Sequence, residues 1–303
     1  MTRSDLSTRL ADIGDRMALA TTVDLLAAGD HACMTFTDQH ERLDLVAAFV
    51  RDGLRRKERV VCYTDAVTPA QLAQELAHRS VRAKAATARG QLRLLAVEDA
   101  LLGDDGADGM VNVLSTEAKT AERDGYPGIR VTADMCWATR PTAAEELTAF
   151  ETAAAELFTA GKLCVICQYD RAVFDAVTLA FATATHQKTV AALAYHDSAT
   201  LRICRQYSPL GIRVAGHLDY RHQDVLEQAL GESRRLDRHM HVNLSALEYI
   251  DAACTASIVQ AAVRLPSSRR MTLTCRPLAE RMLALAGADG VSSLRVTRAH
   301  DHT

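Results

Sequence analysis

The chain has 303 residues, enough for two domains of ordinary size. Hydrophobic residues make up 48% of it and charged residues 24%, which is typical of a globular protein rather than a disordered one. A formal net charge of −3 favours neither a nucleic-acid partner nor a membrane surface, and no apolar run approaches the roughly 20 residues that span a bilayer. The amphipathic N-terminal stretch is not typical of a signal peptide, so we expect a cytoplasmic protein without nucleic-acid or membrane partners.

Periodic apolar residues predict alternating helices and strands over the first two thirds of the chain. Predicted helices cover 4–28, 39–56, 69–79, 110–124 and 142–159, and a last one begins near Arg171. Predicted strands cover 31–36, 58–64, 92–96, 129–134 and 163–169. Helices of this length between strands favour an α/β fold with a mostly parallel sheet covered on both faces.

A second pattern follows a weak, partly helical linker at 191–199. Predicted strands cover 201–206, 212–215, 241–244 and 271–275, with a turn at 208–211 between the first two. Predicted helices cover 221–236, 254–265 and 278–286. We therefore expect a larger α/β domain over 1–190 and a smaller α/β domain over 200–303.

Eight cysteines raise the question of a metal or redox site. Cys164 and Cys167 form a Cys-x-x-Cys pair, but they lie in an apolar run predicted to be a central strand. Residues three apart on a strand point to opposite faces, so these thiols cannot share a metal ion. Because no second cysteine pair or close histidine pair completes a zinc site, the sequence predicts no metal site. Most cysteines are expected to act as small buried hydrophobic residues.

Four motifs in the first part occur together and in order. They are His31-Ala32-Cys33-Met34-Thr35-Phe36, Gly53 through Val60, Gly128 through Trp137, and Cys167-Gln168-Tyr169-Asp170. The set resembles the MEDS sensory domain, a family named for methanogen and methylotroph sensors that includes a dichloromethane-responsive regulator. This resemblance implies a fold related to the RecA-like P-loop ATPases, used for sensing.

The same motifs place polar and aromatic side chains near strand ends, where open α/β sheets usually bind ligands. His31 and Cys33 face one side of the sheet, and they either line the mouth of a pocket or pack in the core. Trp137 is explained well by packing, and Asp170 equally by a helix cap. The candidate set for a small polar or metal-coordinating ligand is His31, Cys33, Phe36, Asp134, Trp137, Gln168, Tyr169, Asp170 and His186. No particular cofactor is indicated.

Nucleotide hydrolysis is not expected from this sequence. A Walker A loop needs Gly-x-x-x-x-Gly-Lys-Ser/Thr, whereas the first strand runs into Thr37-Asp38-Gln39-His40-Glu41 without glycine or lysine. No serine lies in a Gly-x-Ser-x-Gly nucleophile turn either. We predict no catalytic residues and no enzymatic activity, and leave open a nucleotide-like ligand held without that loop.

The segment from Val242 to Cys254 is predicted to form a short strand, a loop ending in Asp251 and a helix that Asp251 caps. It resembles the switch segment of STAS domains, the fold of bacterial anti-sigma factor antagonists. In that family a partner kinase phosphorylates the serine after the second Asp, and here that position is Ala252. Asn243 replaces the family's first Asp, and Cys254 replaces its Gly.

Residues 216–219, Gly-His-Leu-Asp, resemble a second STAS element. The resemblance implies a docking surface for an anti-sigma factor or serine kinase-like protein. Its candidate residues are Asp219, Ser245, Asp251, Ala252 and Thr255. Thr255 and Ser257 are the nearby hydroxyls, but a kinase would reach them less easily within the helix.

The functional hypothesis is a signalling protein in which the attached sensor replaces phosphorylation as the control on docking. One alternative is a nucleotide-binding or hydrolysing RecA-like protein that uses the STAS part to form a homodimer. Another is a degenerate STAS part that binds only the N-terminal domain of its own chain.

Overall fold

A computed structural model of the chain describes residues 19–100, 106–140, 143–159, 161 and 163–299. These residues fall into two compact units that divide between Ala191 and Ala192. Each unit has its own sheet and its own buried core. Within the described residues, no helix has the length and apolar character needed to cross a membrane.

The first unit contains a seven-stranded, fully parallel sheet in the order β1-β7-β2-β6-β5-β3-β4. Its strands are β1 (Leu19–Thr21), β2 (His31–Phe36), β3 (Arg59–Thr64), β4 (Leu92–Ala96), β5 (Ile129–Asp134), β6 (Leu163–Asp170) and β7 (Lys188–Val190). Its helices are α1 (Gln39–Arg55), α2 (Pro69–His78), α3 (Ala83–Ala88), α4 (Val97–Ala100), α5 (Gly106–Arg123), α6 (Ala143–Thr159) and α7 (Ala176–Thr185).

Capping residues fix where the helices of this unit begin. Asp38 accepts hydrogen bonds from the N–H groups of His40 and Glu41, which starts α1 directly after β2. Thr68 and Gln71 form a capping box at the start of α2. The central strands are buried throughout, as expected for a parallel sheet covered on both faces.

Two predicted helices of the first unit are corrected. The helix predicted over 4–28 does not extend into the described residues, since Leu19–Thr21 is a strand paired with β7; residues 4–18 lie outside them. Pairing with a distant strand outweighs the local helical spacing there. The last helix begins at Ala176 rather than near Arg171, because Asp175 caps it and Asp170 instead closes a turn by accepting from the N–H of Ala172.

The second unit contains a six-stranded mixed sheet in the order β13-β12-β11-β10-β9-β8. Its strands are β8 (Ala194–Asp197), β9 (Leu201–Tyr207), β10 (Leu210–Leu218), β11 (Met240–Ile250), β12 (Met271–Cys275) and β13 (Leu294–Arg298). Its helices are α8 (Gln223–Leu236), α9 (Ala252–Val263) and α10 (Pro277–Leu285). β8, β9 and β10 pair in antiparallel fashion, and the remaining pairs are parallel.

Two features of the second unit differ from expectation, and Gly216 has a conformation that only glycine adopts readily. The predicted linker contains β8, an extended edge strand rather than helix. β11 does not end near Leu244 but continues through the predicted loop to Ile250, because β10 is long enough to pair with it across two register shifts. Gly216 in β10 has φ +91°, and a Cβ there would lie 2.2 Å from the carbonyl oxygen of Thr200, so the position requires glycine.

Candidate functional site

The predicted sensory residues lie on both faces of the first sheet, not in one pocket. Successive residues of a strand point to opposite faces, so Gln168 of β6 projects away from Cys167 and Tyr169. Gln168 contacts Arg42 on α1, whereas Tyr169 contacts Glu151 on α6. Two separate polar sites follow, one on each face.

On the α1 face, a buried network surrounds the guanidinium of Arg42. It donates to Asp134 at 2.6 Å and to Gln168 at 2.6 Å, and it lies 4.8 Å from the ring centre of Phe36. Gln168 in turn donates to Thr132 at 2.7 Å. The predicted ligand-binding residues Phe36, Asp134 and Gln168 therefore contact Arg42.

The carboxylate of Asp134 is satisfied within the same network. Besides Arg42, it accepts from the N–H groups of Ala66 at 3.0 Å and Cys136 at 3.1 Å. Burial alone would raise the pKa of Asp134, but Arg42 and the Ala66 N–H outweigh it and hold the pKa below its ordinary value. Arg42 of α1 therefore joins the carboxyl ends of β5 and β6 by hydrogen bonds and lies over Phe36 at the end of β2.

On the α6 face, four ligand-type side chains from four different elements meet in the core. They are His31 at the start of β2, Glu151 in α6, Cys167 in β6 and His186 just after α7, and their ligand atoms all lie within 4.8 Å of one another. All four side chains are buried, and Glu151 has no exposed surface. His31 lies at the opposite end of β2 from the carboxyl edge, so it does not line the mouth of a pocket there.

The surroundings orient these four side chains. Tyr169 donates to Oε1 of Glu151 at 2.6 Å, and Nδ1 of His186 bonds the carbonyl oxygen of Ala182 at 2.6 Å. The ring of His31 stacks on Phe158, with ring centres 4.0 Å apart. Oε2 of Glu151 and Nε2 of His186 have no hydrogen-bond partner among the described residues.

Burial sets the protonation of this cluster. It lowers the pKa of His31 well below its ordinary value, and His186 lowers it further. Burial also raises the pKa of Cys167 and of Tyr169, with Glu151 adding to both shifts. A neutral imidazole, a thiol and a buried carboxyl group are donors suited to a borderline or soft metal ion.

Three predicted residues play simpler parts. Trp137 lies in the apolar core of the first unit, in a 3-10 turn after β5. Cys33 lies in the same core, where its sulfur is 3.6 Å from the hydroxyl of Thr189. Asp170 accepts from Gln39 at 3.1 Å, outside the α6 cluster.

Sequence reasoning missed Arg42 and Glu151, and it considered Cys167 only as a partner of Cys164. Glu151 did leave a signal, since it interrupts the apolar face that Leu147, Ala154 and Phe158 form along α6. An acid in such a face is either bonded or functional. Arg42 had no comparable local signal, and the partners of Arg42 and Cys167 come from elements distant in sequence.

Comparison with protein families decides the assignment of the first unit. The model of the MEDS family, the methanogen/methylotroph DcmR sensory domain, matches residues 30–187, slightly more than half of the chain. The chain belongs to the MEDS family. The match ends before the second unit begins, and we call the first unit the MEDS unit below.

Solved structures that resemble the chain include a KaiC-like protein from Pyrococcus horikoshii OT3, which is 12% identical with a TM-score of 0.45. That match covers 66% of this chain and 87% of the other. The flagellar accessory protein FlaH from Methanocaldococcus jannaschii is 12% identical with a TM-score of 0.41, covering 68% and 84%. A comparison with curated proteins gave no match.

In the second unit, the two predicted switch elements lie side by side. Asp251 caps α9, accepting from the N–H of Cys254 at 2.9 Å, as predicted, and its other oxygen accepts from the N–H of Tyr220 at 2.6 Å. The thiol of Cys254 donates to the carbonyl oxygen of Asp219. Hydrogen bonds from Arg221 lower the pKa of Asp219 to about 2, so this carboxylate is ionised and paired.

The hydroxyls near Ala252 are not equivalent to a switch serine. Ala252 is exposed at the first position of α9, whereas Thr255 is fully buried and donates to the carbonyl oxygen of Asp251. Thr255 therefore cannot belong to a docking surface, which corrects the prediction. Ser257 is buried and bonded to Gln223 and Glu227. Ser245 is half-buried in β11.

Proposed function

We propose that this is a signalling protein in which the MEDS unit senses a small ligand and thereby sets how strongly the second unit docks onto a protein partner. The partner class is an anti-sigma factor or serine kinase-like regulator, the class implied by the STAS resemblance of the second unit. The proposal includes no enzymatic activity for this protein.

One observation carries the proposal: the exposed position after the helix cap Asp251 is occupied by Ala252, and the hydroxyls that follow it are buried. A phosphoryl group at this helix start would add a charge of about −1.5 to −2. Alanine cannot accept that group, and neither Thr255 nor Ser257 is accessible to a kinase. Regulation of docking therefore has to come from elsewhere, and the fused sensory unit is available for it.

The surface around Ala252 suits protein docking. Tyr220 and Tyr249 are 68% and 48% exposed. Tyr220 directly follows Asp219, and its N–H donates to Asp251; Tyr249 lies two residues before Asp251. Tyrosine is enriched at the centres of protein interfaces because its ring is rigid and its hydroxyl can hydrogen-bond. We define the docking surface as Asp219, Tyr220, Tyr249, Asp251 and Ala252.

The nucleotide-binding alternative has less support in the geometry. The loop between β2 and α1 holds no glycine or lysine, and Arg42 occupies the strand ends by pairing with Asp134. A nucleotide at that edge would have to displace a buried ion pair. Calorimetric titration with ATP and Mg²⁺ tests this alternative directly, since tight binding with turnover would support it against the sensor proposal.

The docking proposal is tested with the full chain and a serine kinase-type anti-sigma factor, by isothermal titration calorimetry. We expect Ala252→Glu to weaken binding about tenfold or more, because it adds a charge and bulk at the centre of the docking surface. Ala284→Glu is the matched control, an exposed alanine of α10 in the same unit, and should bind like the unchanged chain. Equal effects of the two substitutions, or no binding by the unchanged chain, would refute the proposal.

A further inference from the structure

The cluster of His31, Glu151, Cys167 and His186 on the α6 face of the MEDS unit has a geometry that indicates a specific ligand. Nε2 of His31 lies 3.5 Å from the sulfur of Cys167 and 3.4 Å from Oε2 of Glu151. Nε2 of His186 lies 3.6 Å from the same carboxylate oxygen. Good hydrogen bonds between nitrogen and oxygen span about 2.7–3.2 Å, so the two histidine–glutamate contacts are too long for such bonds.

These separations instead match the edges of a metal coordination shell. Zinc binds nitrogen and oxygen at about 2.0–2.2 Å and sulfur at about 2.3 Å, which places neighbouring ligand atoms of a tetrahedron about 3.3–3.6 Å apart. Three of the six pairwise separations are 3.4, 3.5 and 3.6 Å, and all six lie within 4.8 Å. Two histidines, one cysteine and one glutamate supply the four donors that a tetrahedral site needs.

The unpartnered atoms are the ones that would face the ion. Oε2 of Glu151 and Nε2 of His186 are buried without a hydrogen-bond partner among the described residues, whereas the other polar atom of each side chain is bonded. A metal-binding histidine usually donates its second ring N–H to a carbonyl or carboxylate group, as Nδ1 of His186 can to Ala182. Leaving such atoms unsatisfied in a core would be costly.

The charge of the set also favours a divalent cation. Glu151 is fully buried, and among the residues that the structure describes its contacts include the two histidines, Tyr169 and Cys167 but no arginine or lysine. A thiolate and a carboxylate together neutralise one M²⁺ ion, which makes the buried site neutral as a whole. Thiolate and imidazole ligands select zinc-type ions over magnesium or calcium.

We propose that His31, Glu151, Cys167 and His186 bind one Zn²⁺ ion in the core of the MEDS unit. On binding, Cys167 gives up its thiol proton and Glu151 any proton it carries to solvent, and both become ligands. The proposal does not depend on the docking function of the second unit.

The test uses the full chain, stripped of metal and titrated with Zn²⁺ against a chromophoric chelator. We expect one tight site per chain, and Cys167→Ser and Glu151→Gln each to weaken it about 100-fold or more. Cys164→Ser is the matched control: it lies on the same strand, is equally buried, and is separated from the cluster by the strand's alternation. It should bind Zn²⁺ like the unchanged chain.

A spectroscopic readout covers the case in which a variant does not fold. Co²⁺ added to the unchanged chain should give the intense visible bands of a four-coordinate site and a thiolate-to-cobalt charge-transfer band. A pale, six-coordinate spectrum without charge transfer would overturn the proposal. Stoichiometric Zn²⁺ binding that survives in the folded Cys167→Ser chain, or equal losses in the Cys167→Ser and Cys164→Ser chains, would overturn it as well.

Discussion

Ala252 occupies an exposed position directly after Asp251, which accepts the hydrogen bond of the N–H group of Cys254. The start of a helix presents unpaired N–H groups and a partial positive charge, so an added anion is tolerated there. The start of α9 could thus hold an added phosphoryl group, but residue 252 has no hydroxyl to carry it. At the residue scale, Ala252 lacks the side-chain oxygen that a kinase would phosphorylate.

A hydroxyl at residue 252 should allow a kinase to phosphorylate this position. We expect Ala252→Ser to accept about one phosphoryl group per chain from a serine kinase-type partner and ATP, since the new hydroxyl is exposed and adjoins the helix start. The unchanged chain should accept none, because Thr255 and Ser257 are buried. Intact-mass spectrometry measures the added phosphate. Phosphate on Thr255 or Ser257 of the unchanged chain would contradict control by the sensor alone.

His241 lies in a chain of polar contacts that runs across the second sheet. Asn243 donates to Gln206 at 2.8 Å, Gln206 donates to Nδ1 of His241 at 2.7 Å, and Nε2 of His241 lies 2.9 Å from the hydroxyl of Thr274. This arrangement requires the neutral imidazole, with Nδ1 as the acceptor. Burial accordingly lowers the pKa of His241 to about 4.

The lowered pKa of His241 predicts a loss of stability in acid. The unfolded chain binds the proton near pH 6.5 and the folded chain only near pH 4, so the unfolding free energy falls as the pH drops between these values. Urea unfolding at pH 7 and pH 5 should show a smaller loss for His241→Gln than for the unchanged chain. His239→Gln, at an exposed position nearby, should keep the original pH dependence. If all three chains lose the same unfolding free energy between pH 7 and pH 5, the loss does not come from His241.

At the scale of elements, the sequence located the central strands and their helices well. Hydrophobic periodicity, helix caps and turn residues are local features of a sequence. The predictions of α1, α2 and the strands from β2 to β6 depended on them. The short strands β1, β7 and β8 and the terminal strand β13 were missed, because a strand of three to five residues is defined by its partner rather than by its own pattern. The extension of β11 had the same cause.

The candidate site shows the same division between local and distant information. Alternation along β2 correctly placed His31 and Cys33 on one face of the sheet. Convergence of that face with Glu151 and His186 depends on how α6 and α7 pack, which no short window of sequence specifies. The prediction that no metal site exists rested on ligands close in sequence, whereas the four candidate ligands come from four elements.

A buried ion pair anchors α8 to the second sheet. Arg205 of β9 donates two bonds to Asp237 just after α8, at 2.5 and 2.6 Å, and Ser233 donates a third at 2.6 Å. Asp237→Ala should lower the unfolding free energy by about 3–5 kcal/mol, because it leaves the Arg205 guanidinium buried without its partner.

The neighbouring pair on the same strand provides the control for Asp237→Ala. Asp197 pairs with Arg202 at 2.6 Å, but its side chain is 61% exposed. Asp197→Ala should therefore cost less than about 1 kcal/mol. Urea unfolding measures both variants. Similar losses for the two would show that burial of the Arg205–Asp237 pair does not set its contribution.

At the scale of the whole molecule, the division into two cores limits how one unit can regulate the other. Each unit closes its own apolar core, and the proposed zinc site and docking surface lie in different units. A ligand of the MEDS unit can alter docking only by its differential affinity for two states of the chain. The proposed link between sensing and docking is therefore a coupling free energy, and that quantity can be measured without knowing the pathway.

Zinc is the probe for this coupling. We expect the affinity of the full chain for its kinase-type partner to differ about tenfold between zinc-loaded and metal-free forms, a coupling of about 1.4 kcal/mol. Calorimetry with and without Zn²⁺ measures it. The difference should vanish in Cys167→Ser and persist in Cys164→Ser. If partner affinity is identical with and without bound Zn²⁺, the ion stabilises the MEDS core without signalling, and the sensory ligand acts at a different place in that unit.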